Sequence, residues 1–296
     1  MPPVSEPAGL AFAALTLALA ALWAPRVFGP SRTIEWWLLP FVVALGAAVS
    51  GALIDSRGLV ALLALGTACR LSHHAPDGAL RGFAHAVMLL MGAGVLLHAL
   101  PGFANPRVLD GVQLSADSAP YTKYLNIDKG LLGLFLLGLY APARAGAGDS
   151  LRLGRRFLVG VTILAVVCMG LTVLVGYAHW DPKLPSWWPM WLWSMAFLTA
   201  LPEEAVFRHL IQGGLQNWLG GAGRERLLAA GVAGVLFGLA HLGGGWIYVA
   251  LASVAGIGYG WIYAATGSIA AAILAHTGLN LLHLLFFSYP ALRAVP

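Results

Sequence analysis

The run FLVGVTILAVVCMGLTVLVGYA, residues 157–178, holds 22 residues without a single charge. At ~1.5 Å per residue an α-helix of that length crosses the ~30 Å apolar core of a bilayer. Arg152, Arg155 and Arg156 stand just before it, where a helix entering a membrane keeps its cations in water. Working outward, similar apolar stretches recur near 8–24, 34–54, 58–70, 82–101, 130–142, 188–218, 226–242, 247–264 and 267–288. The segments 58–70 and 130–142 fall short of the ~20 residues a span needs. The sequence therefore predicts an all-α, polytopic transmembrane helix bundle of about 8–10 spans.

Composition leads to the same class. Of 296 residues, 59% are hydrophobic and only 10% charged, against roughly a quarter charged in a soluble domain. The mean hydropathy is +0.80. Disorder is excluded by the apolar content, and a disulfide scaffold by the presence of only Cys69 and Cys168, which read as small hydrophobes. The net charge of +5 does not indicate nucleic acid, because the 17 Lys and Arg residues are scattered between apolar runs and form no stripe. Met1 to Pro7 carry Glu6 and no Lys or Arg, so the basic start of a cleaved signal peptide is missing and 8–24 reads as a retained span.

Loop charges suggest an orientation. With ten spans and the N-terminus outside, Arg26, Arg32, Arg70, Arg81, the cluster from Arg144 to Arg156, Arg224 and Arg226 gather on one side, which is expected to be cytoplasmic. Trp180, Trp187, Trp188, Trp191 and Trp193 then read as an aromatic belt at the outer interface. The connection 102–129, with Asp110, Asp117, Lys123, Asp128 and Lys129, reads as a surface loop. Residues 1–150 form N-terminal helices of unassigned role, and residues 151–296 carry the chemistry.

That chemistry begins at LPEEAVFRHL, residues 201–210, where Glu203 and Glu204 lie within a segment otherwise rich in Trp, Met, Leu and Phe. Ionisable groups at membrane depth are costly and mark a functional site by default. Glu204 and Arg208 are four apart and share a helix face, which accounts for Glu204 by mutual neutralisation. Glu203 projects ~100° away and needs another partner. Helix arithmetic suggests His241: counted from Trp218 and Arg226, which flank the turn 219–225, Glu203 and His241 each lie 15 residues away along their helices. Pro202 is expected to kink or restart its helix beside Glu203. In the last span His276 and Asn280 are four apart and face the same way.

A carboxylate, two imidazoles and an amide on facing helices suit water-based hydrolysis. Burial strengthens a carboxylate as a general base. Glu203 and His241 are candidates to activate a water, and His276 and Asn280 to donate to the oxyanion formed on a peptide carbonyl. Arg208 would support Glu204. His73, His74, His85, His98, His179 and His283 have no acidic or Cys partner at a useful spacing and read as structural or interfacial; His209 points off the active face. There is no G-x-S-x-G elbow and no H-E-x-x-H zinc helix.

Glu203-Glu204-x-x-x-Arg208, Phe237-x-x-x-His241 and His276-x-x-x-Asn280 together resemble the three motifs of the CPBP family. This family holds the CAAX prenyl endopeptidases and bacteriocin-processing or immunity-associated membrane proteins. The resemblance covers roughly residues 187–288. It implies that Glu203 and His241 activate water and that His276 and Asn280 form the oxyanion hole, with Glu204, Arg208 and Phe237 in support and no cofactor or metal. His209 departs from the family, which often has Gly there. The implied activity is that of a glutamic-type intramembrane endopeptidase acting near the C-terminus of a membrane-anchored or lipidated protein. The orientation above puts the site toward the outer half of the membrane, like bacterial inner-membrane relatives that process C-terminal sorting tails of exported proteins. Three other readings stand beside it. Glu203, His241 and His276 could form a two-His, one-carboxylate zinc site. The same groups could serve a proton-coupled transporter, although no repeat with matched broken helices is visible. The fold could also serve a non-catalytic immunity or scaffold protein.

Overall fold

The structure, a computed structural model, describes residues 5–23, 35–75, 78–140, 150–220 and 223–293. The elements are, in chain order, α1 (Glu6–Ala21), α2 (Leu38–Ser50), α3 (Ser56–His74), α4 (Ala79–Leu96), β1 (Arg107–Val112), β2 (Tyr121–Tyr124), α5 (Ile127–Phe135) and α6 (Ser150–Leu174). They continue with α7 (Trp188–Met195), α8 (Leu201–Glu204), α9 (Gly213–Leu219), α10 (Arg224–Leu239), α11 (Gly245–Thr266) and α12 (Ile269–Phe286). Three π-helical stretches interrupt this pattern: Leu136–Tyr140 after α5, Ala196–Ala200 before α8 and Ala205–Gln212 after it. The protein is an all-α membrane bundle, its only sheet among the described residues being the two-stranded β1–β2 pair.

Each of the ten apolar segments lies largely in helix. Among the described residues, four helical runs are long and apolar enough to cross a bilayer: Ala79–Leu96, Leu153–Leu174, Leu242–Thr266 and Ile269–Phe286. The chain is an integral, multi-pass membrane protein. Helices α1 and α2 are shorter, at 16 and 13 residues. Arg26, Arg32 and Arg144, on which the charge orientation leaned, lie outside the described residues.

The chain divides into two compact units. The first comprises Met1–Val108, Tyr124–Pro142 and Phe197–Val206. Here α1 packs on α2, α3 on α4, and α5 on α8. Close approach of α5 needs glycine: a Cβ on Gly133 would lie 2.6 Å from Leu201 Cδ2 and 3.1 Å from Pro202 Cα. The second unit comprises Leu109–Lys123, Ala143–Ala196 and Phe207–Pro296. Its centre is the antiparallel pair α10 and α11. Gly234 and Gly238, four apart, face α11, and a Cβ on Gly238 would lie 2.6 Å from Val249 O and 2.8 Å from Ser253 N. Small residues at this spacing let helix backbones approach inside a membrane, where helix–helix dispersion replaces the hydrophobic effect as the driving force.

Two sequence expectations are corrected here. The connection 102–129 is only partly a surface loop: it folds into β1, β2 and the start of α5, and Lys123 and Asp128 are buried. Burial is tolerated because the charge is paired, Asp128 Oδ2 accepting from His98 Nδ1 at 3.1 Å. Trp191 is not an interface anchor. It is fully buried against Met195, Leu284 and Tyr289, and its indole N–H donates to Tyr121 Oη at 2.9 Å. Trp180, by contrast, is 63% exposed.

Candidate active site

Phe237 is the hub of the site in the second unit. It is buried near the end of α10, with four aromatic neighbours: Phe207 at 5.1 Å between ring centroids, His241 at 4.7 Å, Tyr259 at 5.9 Å and His276 at 5.5 Å. The Arg208 guanidinium lies 5.9 Å from its ring centre, within the range of a cation–π contact. The structure thus brings together side chains from all three motifs: Arg208 from the first, Phe237 and His241 from the second, His276 from the third.

The end of α10 explains the Phe237-x-x-x-His241 spacing. His241 lies past the helix, starting the 3-10 turn Leu242–Gly244, rather than within a span as the segment 226–242 implied. Its backbone N–H bonds Gly238 O at 2.9 Å, so the last turn tightens and its amide is spent away from Phe237 O. The imidazole fills that place: Nδ1 lies 2.7 Å from Phe237 O. A carbonyl only accepts, so Nδ1 carries the hydrogen, and in the neutral ring Nε2 carries the lone pair. The side chain therefore caps its own helix and presents a basic nitrogen at Nε2. Tyr248 packs edge-on to the same ring at 5.5 Å.

His276 is buried in α12. Its ring stacks on Tyr259, with centroids 4.6 Å apart and planes 12° from parallel, while Phe237 meets it edge-on at 81°. Two contacts at right angles leave the imidazole little freedom to tip. Asn280 follows one turn later and donates from Nδ2 to His276 O at 3.1 Å, which fixes the amide with its second N–H directed elsewhere. Arg208 is fully buried. Its Nη1 donates to Gln212 Oε1 at 3.3 Å, and Gln212 Nε2 donates in turn to Gly260 O at 2.9 Å. Gly260 is required there, since a Cβ would lie 2.8 Å from both Arg208 Nη1 and Gln212 Oε1.

Glu203 and Glu204 belong to the first unit and are buried in α8, the single α-helical turn between two π-helical stretches. Pro202 stands in the first turn of α8, where the chain passes from π- to α-geometry without leaving the helix. In the π-helical stretch Ala205–Gln212 the hydrogen bonds run i→i+5, so the turn is wider than 3.6 residues. The ~100° step used to relate Glu203, Glu204 and Arg208, and the α-helical residue count used to match Glu203 with His241, do not hold through it. Such π segments recur at functional sites.

Lys129 is the residue that sequence reasoning missed. Its Nζ lies 3.3 Å from Glu203 Oε1, with the two side chains only 11% and 7% exposed. Tyr259 and Gln212 were also missed, as neutral residues in apolar helices. His98 and His179, read as lacking acidic partners, have them: His98 pairs with Asp128, and His179 Nε2 lies 2.7 Å from Asp117 Oδ2. Both partners are far along the chain. Among the described residues no three His, Cys, Asp or Glu side chains cluster in a way that would hold a metal ion.

Fold and residues together define a polytopic membrane protein with buried ionisable groups set in aromatic helices. Residues 185–282 match the family described as type II CAAX prenyl endopeptidase, Rce1-like, a stretch of about a third of the chain that contains all three motifs. Neither a curated protein nor a solved structure gives a significant match. The family match supports intramembrane protease activity: a peptide hydrolase embedded in the membrane and acting on a protein substrate.

Proposed function

We propose that the protein is a glutamic-type intramembrane endopeptidase that cuts near the C-terminus of a membrane-anchored or lipidated protein. The observation that carries this reading is the fixed tautomer of His241, whose Nδ1–H is committed to Phe237 O and whose Nε2 bears the lone pair. Glu203 and His241 hold a water between a carboxylate and that nitrogen and take up its proton as it attacks the scissile carbonyl. The carbonyl oxygen becomes an oxyanion, which His276 and the remaining N–H of Asn280 stabilise. The tetrahedral intermediate then expels the amine, which receives the proton from the Glu203–His241 pair. Glu204, Arg208 and Phe237 support these groups, and residues 151–296 form the catalytic part.

The substrates are the C-terminal sorting tails of exported proteins, and the site opens toward the outer half of a bacterial inner membrane. This follows from the side that collects Arg224 and Arg226. Surface labelling that reached the 219–225 turn from outside the cell would overturn the orientation. The activity itself is tested by comparing C-terminal peptides of membrane and exported proteins, by mass spectrometry, between cells carrying wild type and Glu203→Ala. Proteins shortened only by wild type establish proteolysis and reveal the cut site. No difference, with both forms equally abundant in the membrane, refutes it.

A further inference from the structure

Lys129 lies 56 residues before the segment that matches the protease family, yet its ammonium sits 3.3 Å from Glu203 Oε1 within the first unit. We infer that Lys129 is a positioning residue for the Glu203 carboxylate, so that the N-terminal part of the chain supplies a working component of the site. This rests on the assignment of Glu203 as base.

Two amides at the start of α5 are held by side chains. Ile127 N donates to Asn105 Oδ1 at 2.9 Å, which satisfies one of the amides left open at a helix N-terminus. Lys129 N donates to Asp128 Oδ1 at 2.8 Å, and the other oxygen of Asp128 is tied to His98. The backbone of Lys129 is therefore pinned. Four residues later Gly133 stands on the same face of α5, and this is the residue whose missing Cβ allows contact with Leu201 and Pro202. Gly130 serves the same end, since a Cβ there would lie 2.9 Å from Leu198 Cδ2. A glycine face thus lays α5 against the turn that carries Glu203, and the one long cation on that turn of α5 reaches the carboxylate.

A buried ammonium opposite a carboxylate does two things. It compensates the carboxylate's charge where water is scarce, and it fixes which oxygen points where. With Oε1 engaged by Lys129, the carboxylate is held in one orientation. Loss of such a constraint costs rate, because a displacement of ~1 Å in a catalytic group lowers turnover by about a hundredfold.

The experiment measures kcat and KM for the full-length protein in phospholipid vesicles. The probe is a synthetic peptide spanning the cut site found by comparing wild type with Glu203→Ala. Lys129→Met is expected to lower kcat about a hundredfold with KM unchanged and with wild-type thermal stability, and Lys129→Arg to recover most of the loss. If Lys129→Met does not accumulate, Lys129→Gln, similar in length and polar, is held to the same values. Wild-type kcat per folded molecule in either neutral variant overturns the inference, as does a loss that Arg fails to rescue. A silent Glu203→Ala beside a fully active Lys129→Met sinks this inference alone. If cells carrying Glu203→Ala shorten the same proteins as wild type, the assignment of the base falls, and this inference with it.

Discussion

Gly238→Ala probes the packing on which the second unit depends. The added Cβ would lie 1.9 Å from Ser253 Oγ, 2.6 Å from Val249 O and 2.8 Å from Ser253 N. The hydroxyl can rotate away, but the two backbone atoms cannot. Restoring ordinary contact requires α10 and α11 to part by several tenths of an ångström. Overpacking of this kind costs about 1–3 kcal/mol, and a gap of 0.5–1 Å forfeits a quarter to a half of each neighbouring dispersion contact. The better helix propensity of Ala returns about 1 kcal/mol. The net expectation is a loss of up to about 2 kcal/mol, or up to ~8 °C in Tm, measured by thermal unfolding in detergent. Activity falls as well, because Phe237 and His241 flank the displaced turn. Gly278→Ala is the control: it lies in α12 between His276 and Asn280, and a Cβ there meets nothing within 4 Å. It should be neutral or stabilising by up to about 1 kcal/mol. Equal stability of the two variants, or a gain in Gly238→Ala, would refute the packing argument.

Four shorter predictions follow from other parts of the molecule. His241→Gln should abolish cleavage while leaving the protein folded, since an amide can still cap Phe237 O but offers no basic nitrogen; retained turnover would remove His241 from the mechanism. Trp191→Ala should cost about 3–5 kcal/mol and Trp180→Ala far less, compared by denaturation in the same micelle, because only Trp191 is fully enclosed. Outside the membrane, Asp117 holds the His179 imidazolium and raises its pKa above the ordinary 6.5, mainly through their hydrogen bond. The stabilisation from this pair is therefore complete below pH ~6.5 and fades as pH rises through the higher folded value; a wild type minus His179→Gln difference in Tm that grows with pH would contradict it. Cleavage should survive exhaustive chelation, whereas loss on chelation and recovery with Zn²⁺ would favour the two-His, one-carboxylate metal reading.

The hydrogen bonds behind two of the motifs are local, and this is why the motifs could be read without a structure. Phe237 with His241, and His276 with Asn280, each join a side chain to a carbonyl four residues away, a distance fixed by helix geometry alone. What the spacing did not reveal was their purpose: in the first pair it is the tightened end of α10 that turns a helix cap into a tautomer lock. The π-helical stretches around Glu203 are also local, yet no residue type announces them.

The amino-acid sequence by itself determined the all-α membrane class and the helical segments, because transfer of an uncharged run of ~20 residues into lipid depends on composition and length, not on neighbours. It also singled out Glu203, Glu204, His241, His276 and Asn280, since polar groups stand out wherever the solvent is hydrocarbon. Only the tertiary structure decided that Lys129 meets Glu203 across 74 residues of chain, that Tyr259 stacks on His276, and that Trp191 is core while Trp180 faces outward. Those outcomes turn on which helix faces come together. Here glycines at positions 130, 133, 234, 238 and 260 set the close approaches, and a missing side chain carries no mark of the partner it admits.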